Sequence, residues 1–417
     1  MLKTLRNAWK IPDLRKKILF TLAMLVIFRL GTHIPVPGIN NVALRALFEE
    51  GNLLGFFDLV SGGALANFAI FAMSVSPYIT ATIVMQLLTI IIPSWEQMMK
   101  EGQEGRKKQM QYTRYATIVL AFLQGFAITL GIRGYLLNPS VPSYLLITMT
   151  LTAGTALLMW LGEKITEKGI GNGISLIIFG GIISRLPVSI YNMVRSVSIG
   201  ELSIITLVLI TIGAVLMIAG IVLIQEGQRR IPVQYSRRVV GRKIYGGQST
   251  HIPMRINQAG VIPVIFASSI LMFPGTLAAF SANSTLQKIG EALQMGTPLH
   301  TLLYVMLIFG FTFFYTTVQF NPRDVSDNLK NQGGFIPGIR PGKPTTDYIS
   351  KILWRLTFVG ATFLCLLVVI PIVLNSVLNI ALGIAGTSLI IMVGVALDTV
   401  KQLENQLMMR HYGGFLK

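Results

Sequence analysis

The chain has 417 residues, of which 52% are hydrophobic and only 12% charged, with mean hydropathy +0.64 and a formal net charge of +18. A soluble protein of this size needs far more charge on its surface, so composition excludes a soluble globular fold and defines a multi-pass membrane protein. The one cysteine, Cys365, lies in an apolar run; it excludes intrachain disulfides and reads as a small buried hydrophobe.

A basic segment, 1–17, precedes the first apolar run, and no small-residue cleavage site follows it. Ile18–Ile34 is therefore expected as a retained span rather than a removed signal peptide. Runs of ~18 apolar residues span the ~30 Å of hydrocarbon at ~1.5 Å per residue. On that scale further spans are predicted at Ser76–Ile92, Thr113–Tyr135, Tyr144–Leu161, Ile174–Met193, Ile204–Ile224, Asn257–Leu277, Leu302–Phe320, Leu356–Leu374 and Ile380–Val400.

Between the first two spans lies "SGGALANFAIFAMSVSPYI", Ser61–Ile79. Leu65–Met73 would make ~14 Å of helix, too short to cross alone. Ser61–Met73 is expected as a half-length helix that goes partway in and returns. Polar backbone at membrane depth needs protein or water around it, so a sheltering cavity is implied.

The connecting segments alternate in charge. The N-terminus, "KEGQEGRKKQ", "GEKITEKG", the loops after Gln225 and Asn321, and the C-terminus share one side and carry nearly all of the net charge. The positive-inside rule makes that side cytoplasmic. Ten crossings with both ends on one side divide into two five-span halves, 18–200 and 201–400, with a tail at 401–417. An odd number of spans per half inverts one half relative to the other and places a binding or conducting site at their interface. The expected fold class is thus an all-α polytopic membrane protein, ten transmembrane helices in two inverted five-helix halves. No metal or cofactor is expected.

Chemistry is sparse in the spans. His33, His251, His300 and His411 show no metal-ligand spacing. "GIGNGIS", Gly169–Ser175, lacks the lysine and preceding strand of a phosphate loop. Glu163 and Asp398 fall at cytoplasmic ends. Arg29 and Arg185 approach the opposite ends, where snorkelling to the interface is expected. Enzyme catalysis is disfavoured, and so is the alternative of an ion-coupled small-solute transporter, which needs titratable groups at the midplane. What remains is an apolar pathway with no internal energy source.

Two loops exceed what connection requires, 225–257 and 321–355. In the first, "IPVQYSRRVV" and "RKIYGG" alternate around a turn and predict a cytoplasmic β-hairpin with Arg237, Arg238, Arg242 and Lys243 near its tip. The second presents Arg340 in "IPGIRPG". Both suit docking to an acidic protein face or to ribosomal RNA phosphates.

"GTHIPVPGIN", "SGGALANFAIFA", "PYITATIVMQLLT", "KEGQEGRKK", "ITEKGIGNGIS", "RRIPVQY", "AGVIPVIFASS" and "NPRDVSDNLKNQGGFIPGIRPG" resemble the SecY family, central subunits of bacterial Sec protein-conducting channels. The resemblance runs from the first span to the tenth. It implies an hourglass of two halves that opens sideways, passing unfolded preproteins across the membrane and releasing apolar segments into lipid. It implies a plug helix made of Leu59, Val60, Ser61, Gly62, Gly63, Ala64, Leu65, Ala66, Asn67, Phe68 and Ala69, whose glycines would permit sharp turns.

The family's apolar pore ring falls on Val75, Ile79, Ile174, Ile178, Ile265 and Ile391. Val75 and Ile79, like Ile174 and Ile178, are four positions apart and stack on one helix face. Branched apolar side chains can narrow a pore until water leaves, which blocks ions without a binding site. Val75 departs from the commoner isoleucine and implies a slightly looser collar. Thr80, Gln86 and Asn257 match polar positions of the lateral gate, between the second and third spans and the seventh and eighth. Arg242, Lys243 and Arg340 match positions that dock the SecA motor ATPase or a translating ribosome. SecE and SecG are the implied subunits, preprotein and signal sequence the substrates, and membrane lipid the surroundings. No DNA partner is implied.

Overall fold

The computed structural model describes residues 6, 8–40, 61–200, 202–235, 238–240, 243–245, 249–279, 288, 290, 292–293, 297–378 and 386–413. Long helices dominate. In chain order they are α1 Pro12–Gly31, α2 Ser76–Ile91, α3 Pro93–Lys100, α4 Gln103–Gly131, α5 Val141–Lys168, α6 Gly173–Ser198, α7 Ile204–Glu226, α8 Ile262–Ala279, α9 Pro298–Gln319, α10 Pro322–Asn331, α11 Lys343–Leu378 and α12 Gly386–Gly413. All except α3 and α10 overlap predicted spans, and several, such as α11 and α12, extend well past them. Several begin with proline in the first turn, where a missing N–H costs nothing. Others are capped by side chains: Asn172 accepts from Ser175 N, and Thr297 from His300 N. Within the spans, threonines such as Thr117, Thr312 and Thr316 donate to the carbonyl four residues back, so their hydroxyls need no water.

The helices pack as two groups. In the first, α2 lies on α4, α4 on α5, α5 on α6, and α1 against α5 and α6; in the second, α8 lies on α9, α9 on α11, and α12 against α7 and α11. At Ile92 the chain bends by 104° from α2 into α3. In α7 Ile221 is buried while residues such as Leu209 and Leu216 lie exposed, as a lipid-facing helix requires.

Differences from expectation have local causes. The seventh span was expected from Asn257; its helix begins at Ile262, because Asn257 Nδ2 donates to the Gly260 carbonyl at 2.9 Å and Gly260 turns with φ +64°. For the tenth, 379–385 lie outside the described residues, and the helix runs from Gly386. In "GIGNGIS" the glycines serve packing. A Cβ at Gly173 would collide with the Gly162 carbonyl oxygen, and Ile170 N donates to Thr21 Oγ1 at 3.1 Å.

The expected β-hairpin is present. Strand β1, Gln228–Tyr235, pairs antiparallel with β4, Ser249–Arg255; β2, Arg238–Val240, pairs with β3, Lys243–Tyr245, towards the tip. A third strand, β5 at Gly334–Phe335, pairs with the end of β1 and so ties the two long loops into one sheet of order β4-β1-β5. Beneath it Ile231, Val233, Met254, Leu329, Ile336, Ile349, Ile352 and Leu353 form a separate buried cluster.

Candidate functional site

The six aliphatic positions singled out in the sequence come from α6, α8, α12 and the start of α2. Val75, the N-cap of α2, and Ile79, Ile178, Ile265 and Ile391 are buried members of one apolar cluster, and Ile174 packs against it. Both helix groups contribute, so the cluster sits on their common boundary. Pro77 in the first turn of α2 fixes where that helix starts, one residue after Val75. Gly162 lets Ile174 lie directly against α5.

On the basic side of this cluster opens a polar cavity of about 370 Å³. Its walls include Asn172, Gln225, Arg255, Asn257, Gln258, Gln319, Asp398, Lys401, Gln402 and Asn405, and Lys401 pairs with Glu226 at 2.9 Å. Val261 and Val395 belong to both the cavity wall and the apolar cluster, so the wet space leads directly onto the dry one. Asn257 Oδ1 and Gln258 Oε1 are buried there without a protein partner. Sequence reasoning missed this cavity. Gln225, Gln319 and Gln402 each read alone as a solvated helix end, and only the packing gathers them.

On the opposite side the re-entrant segment closes over the cluster. The half-length helix expected across Ser61–Met73 is corrected. Ser61 is helical, but 62–75 form successive turns, with positive φ at Gly62, Gly63, Phe68 and Ser74. Three of these fall inside the expected helix and cannot continue a right-handed helix. The shelter expected for this backbone is present: Ala64, Leu65, Phe68, Ala69 and Phe71 are buried, and Ala66 and Asn67 half-buried. Pro35 bridges Ala69, and Gly154 of α5 makes room for the Ile70 carbonyl. Leu59 and Val60 lie outside the described residues. Arg29 and Arg185 do not simply snorkel. Arg29 donates to the Gly62 carbonyl oxygen, and Arg185 lies against Gly63.

The remaining positions fall as follows. Helix α8 packs against α2 and α4, where the lateral boundary was expected. Thr80 Oγ1 donates to Ser76 O in its own helix, and Asn257 lies in the turn before α8. Among the described residues no hydrogen bond joins Thr80, Gln86 and Asn257. Arg237 and Arg242 lie outside the described residues; Arg238 opens β2 and Lys243 opens β3. Arg340 is exposed, with its carbonyl held by Thr345 Oγ1 at 2.9 Å.

Two helix groups that share a buried apolar cluster, with a polar cavity on one side and a buried re-entrant segment on the other, define a polytopic membrane protein built around an interface between halves. The sequence model of the SecY family matches residues 69–400. The protein translocase subunit SecY of Halalkalibacterium halodurans is 48% identical over 432 residues, covering 100% of each chain. The solved structure of a protein-conducting channel superposes with TM-score 0.68 at 20% identity, over 94% of this chain and 92% of that one. Sec61 in the canine ribosome–channel complex from the endoplasmic reticulum gives TM-score 0.65 at 18% identity, with the same coverage. The chain belongs to the SecY family of protein translocase subunits.

Proposed function

We propose that Val75, Ile79, Ile174, Ile178, Ile265 and Ile391 form the collar through which unfolded preprotein passes, and that residues 59–69 act as its plug. The observation that carries this reading is the convergence of six branched side chains, supplied by both helix groups, in one buried apolar cluster. Apolar contact is non-directional, so such a collar fits cargo of any sequence while a dewetted gap excludes ions. The polar cavity then receives the chain before the collar, and the boundary of α2 and α4 with α8 and α9 releases apolar segments to lipid.

The basic side is cytoplasmic on this reading, with both termini there and the cytoplasmic membrane as the location. The sheet that joins the two long loops supports a common docking platform for Arg237, Arg238, Arg242, Lys243 and Arg340. Its partners would be the SecA motor or a translating ribosome, and the ribosome-bound relative supports the latter. SecE and SecG complete the assembly. Work is supplied from outside the chain, whose role is passive conduction. Family membership displaces the ion-coupled carrier as a reading.

The test is crosslinking of a stalled preprotein to cysteines placed at Val75, Ile178 and Ile391, with Cys365→Ala removing the native thiol. Labelling of all three is expected. Labelling confined to lipid-facing controls such as Leu209 overturns the collar.

A further inference from the structure

The two ends of the described re-entrant segment are held by different means. Its trailing end belongs to the packed core. Val36 N donates to Phe68 O at 2.9 Å, and Ile70 N to Ile34 O at 3.0 Å. Phe68 and Phe71 are each 1% exposed, and Phe71 stacks on Phe28 at 6.1 Å between centroids. Its leading end is gripped by arginines. Arg29 Nη1 donates to the Gly62 carbonyl oxygen, and the same nitrogen lies 3.4 Å from Thr32 Oγ1. Thr32 Oγ1 donates to the Arg29 carbonyl at 2.7 Å, which braces the end of α1 below the guanidinium. From α6, the Arg185 guanidinium lies so near Gly63 that a Cβ there would sit 2.9 Å from Nη2, and a Cβ on Gly62 would sit 2.9 Å from Gly181 Cα. With φ of +67° and +92°, the glycine pair is needed for both the turn and the close approach.

We propose that Arg29 is a positioning residue for gating, a latch that holds the plug seated through the Gly62 carbonyl, with Arg185 closing the other side and Phe68 serving as the pivot. The proposal rests on the reading of this segment as the plug. A guanidinium donating to a carbonyl in a half-buried site makes a charge-assisted bond, yet one that water or another backbone carbonyl can replace. The leading end can therefore leave at the cost of the arginine bonds and of the burial of Ala64 and Leu65, while Phe71 keeps its stacking on Phe28. Residues 68–73 stay with α1, α4 and α5, while the Gly62–Gly63 turn swings away from α6.

The test is a spin-label distance between Ala66→Cys and Ser140→Cys in the assembled channel in lipid nanodiscs, with Cys365→Ala. The otherwise unchanged channel should give one short distance at rest and a longer one when a stalled preprotein is loaded. At rest, Arg29→Leu should raise the ratio of displaced to seated plug by roughly tenfold, Arg29→Lys by less. Gly63→Ala, which presses the turn against Arg185, should move it in the same direction and serves if Arg29→Leu fails to assemble. A resting distribution that stays put in Arg29→Leu or Gly63→Ala, while preprotein still shifts the unsubstituted channel, overturns the latch and leaves the plug standing. A distribution that preprotein does not shift in the unsubstituted channel overturns the plug reading and the latch with it.

Discussion

The two helix groups meet along two seams of different make. On one, α6 packs against α7 and α12, Lys17 Nζ donates to Gln406 Oε1 at 3.2 Å, and Leu14 shares a buried cluster with Ile170 and Leu403. Gly171 lies so close to α12 that a Cβ there would be 3.2 Å from Thr399 Oγ1. On the other, α8 lies against α2 and α4, and the nearby polar side chains of Thr80 and Asn257 bond within their own segments. The first seam adds a directional bond to apolar packing, whereas on the second Thr80 and Asn257 do not bond across. A joint of the first kind keeps its register as the halves move. A seam of the second kind can be remade with any apolar segment, since apolar contact carries no directional requirement. The contrast suits the gate proposed above on the second seam, with the first seam as the fixed joint about which it would open.

The largest effect is expected where the hinge side is broken. Gly171→Val combines φ +87° with contacts to Leu176 and Thr399, and should cost ~3 kcal/mol by backbone strain and overpacking. Thermal unfolding of the purified protein should show it, and an unchanged midpoint would mean the joint is slack. Next is the collar between the seams. Ile79→Ser with Ile265→Ser lets water into the constriction and should raise resting ion conductance in planar bilayers by roughly tenfold. Conductance equal to the parent's would remove these residues from the barrier. A smaller effect is expected away from both seams. Arg340→Glu reverses an exposed charge on the loop platform, so stability should hold while motor-driven export slows severalfold. Export at the parental rate would take Arg340 out of docking.

Much of this architecture was legible in the sequence because lipid leaves few options. Backbone in hydrocarbon must be helical, so apolar length and charge alternation locate the spans, though several helices run about ten residues beyond the apolar stretch, and alternation around "SRRVVGRK" locates the hairpin. Contacts made by short or singly weak signals stayed hidden. Gly334–Phe335 is too short to read as a strand, yet it unites two loops. Arg29 looked like an interfacial arginine because its partner is a backbone carbonyl 33 residues away, which no side-chain pattern reveals. The turns within Ser61–Met73 read as helix because apolar composition masks three positive-φ positions. The proposed collar rests, in the sequence, on family resemblance alone, since any one of its aliphatic residues by itself is ordinary packing.

The smallest effect is the one that separates the two seams most sharply. If the gate side were fastened by polar bonds, Gln86 and Asn257 would be the groups to make them. Asn257 is buried and donates to Gly260 O, while its Oδ1 has no protein partner. Gln86 is half-buried. A double-mutant cycle of Gln86→Leu and Asn257→Ala should therefore give a coupling energy below ~0.5 kcal/mol, with Asn257→Ala alone costing ~1 kcal/mol through the lost turn bond. Interhelical polar bonds in membranes reach ~0.6–2 kcal/mol, so a coupling in that range would mean a polar clasp does fasten this seam. A null coupling leaves apolar contact as what keeps the gate shut, and an arriving apolar segment can replace that contact in kind.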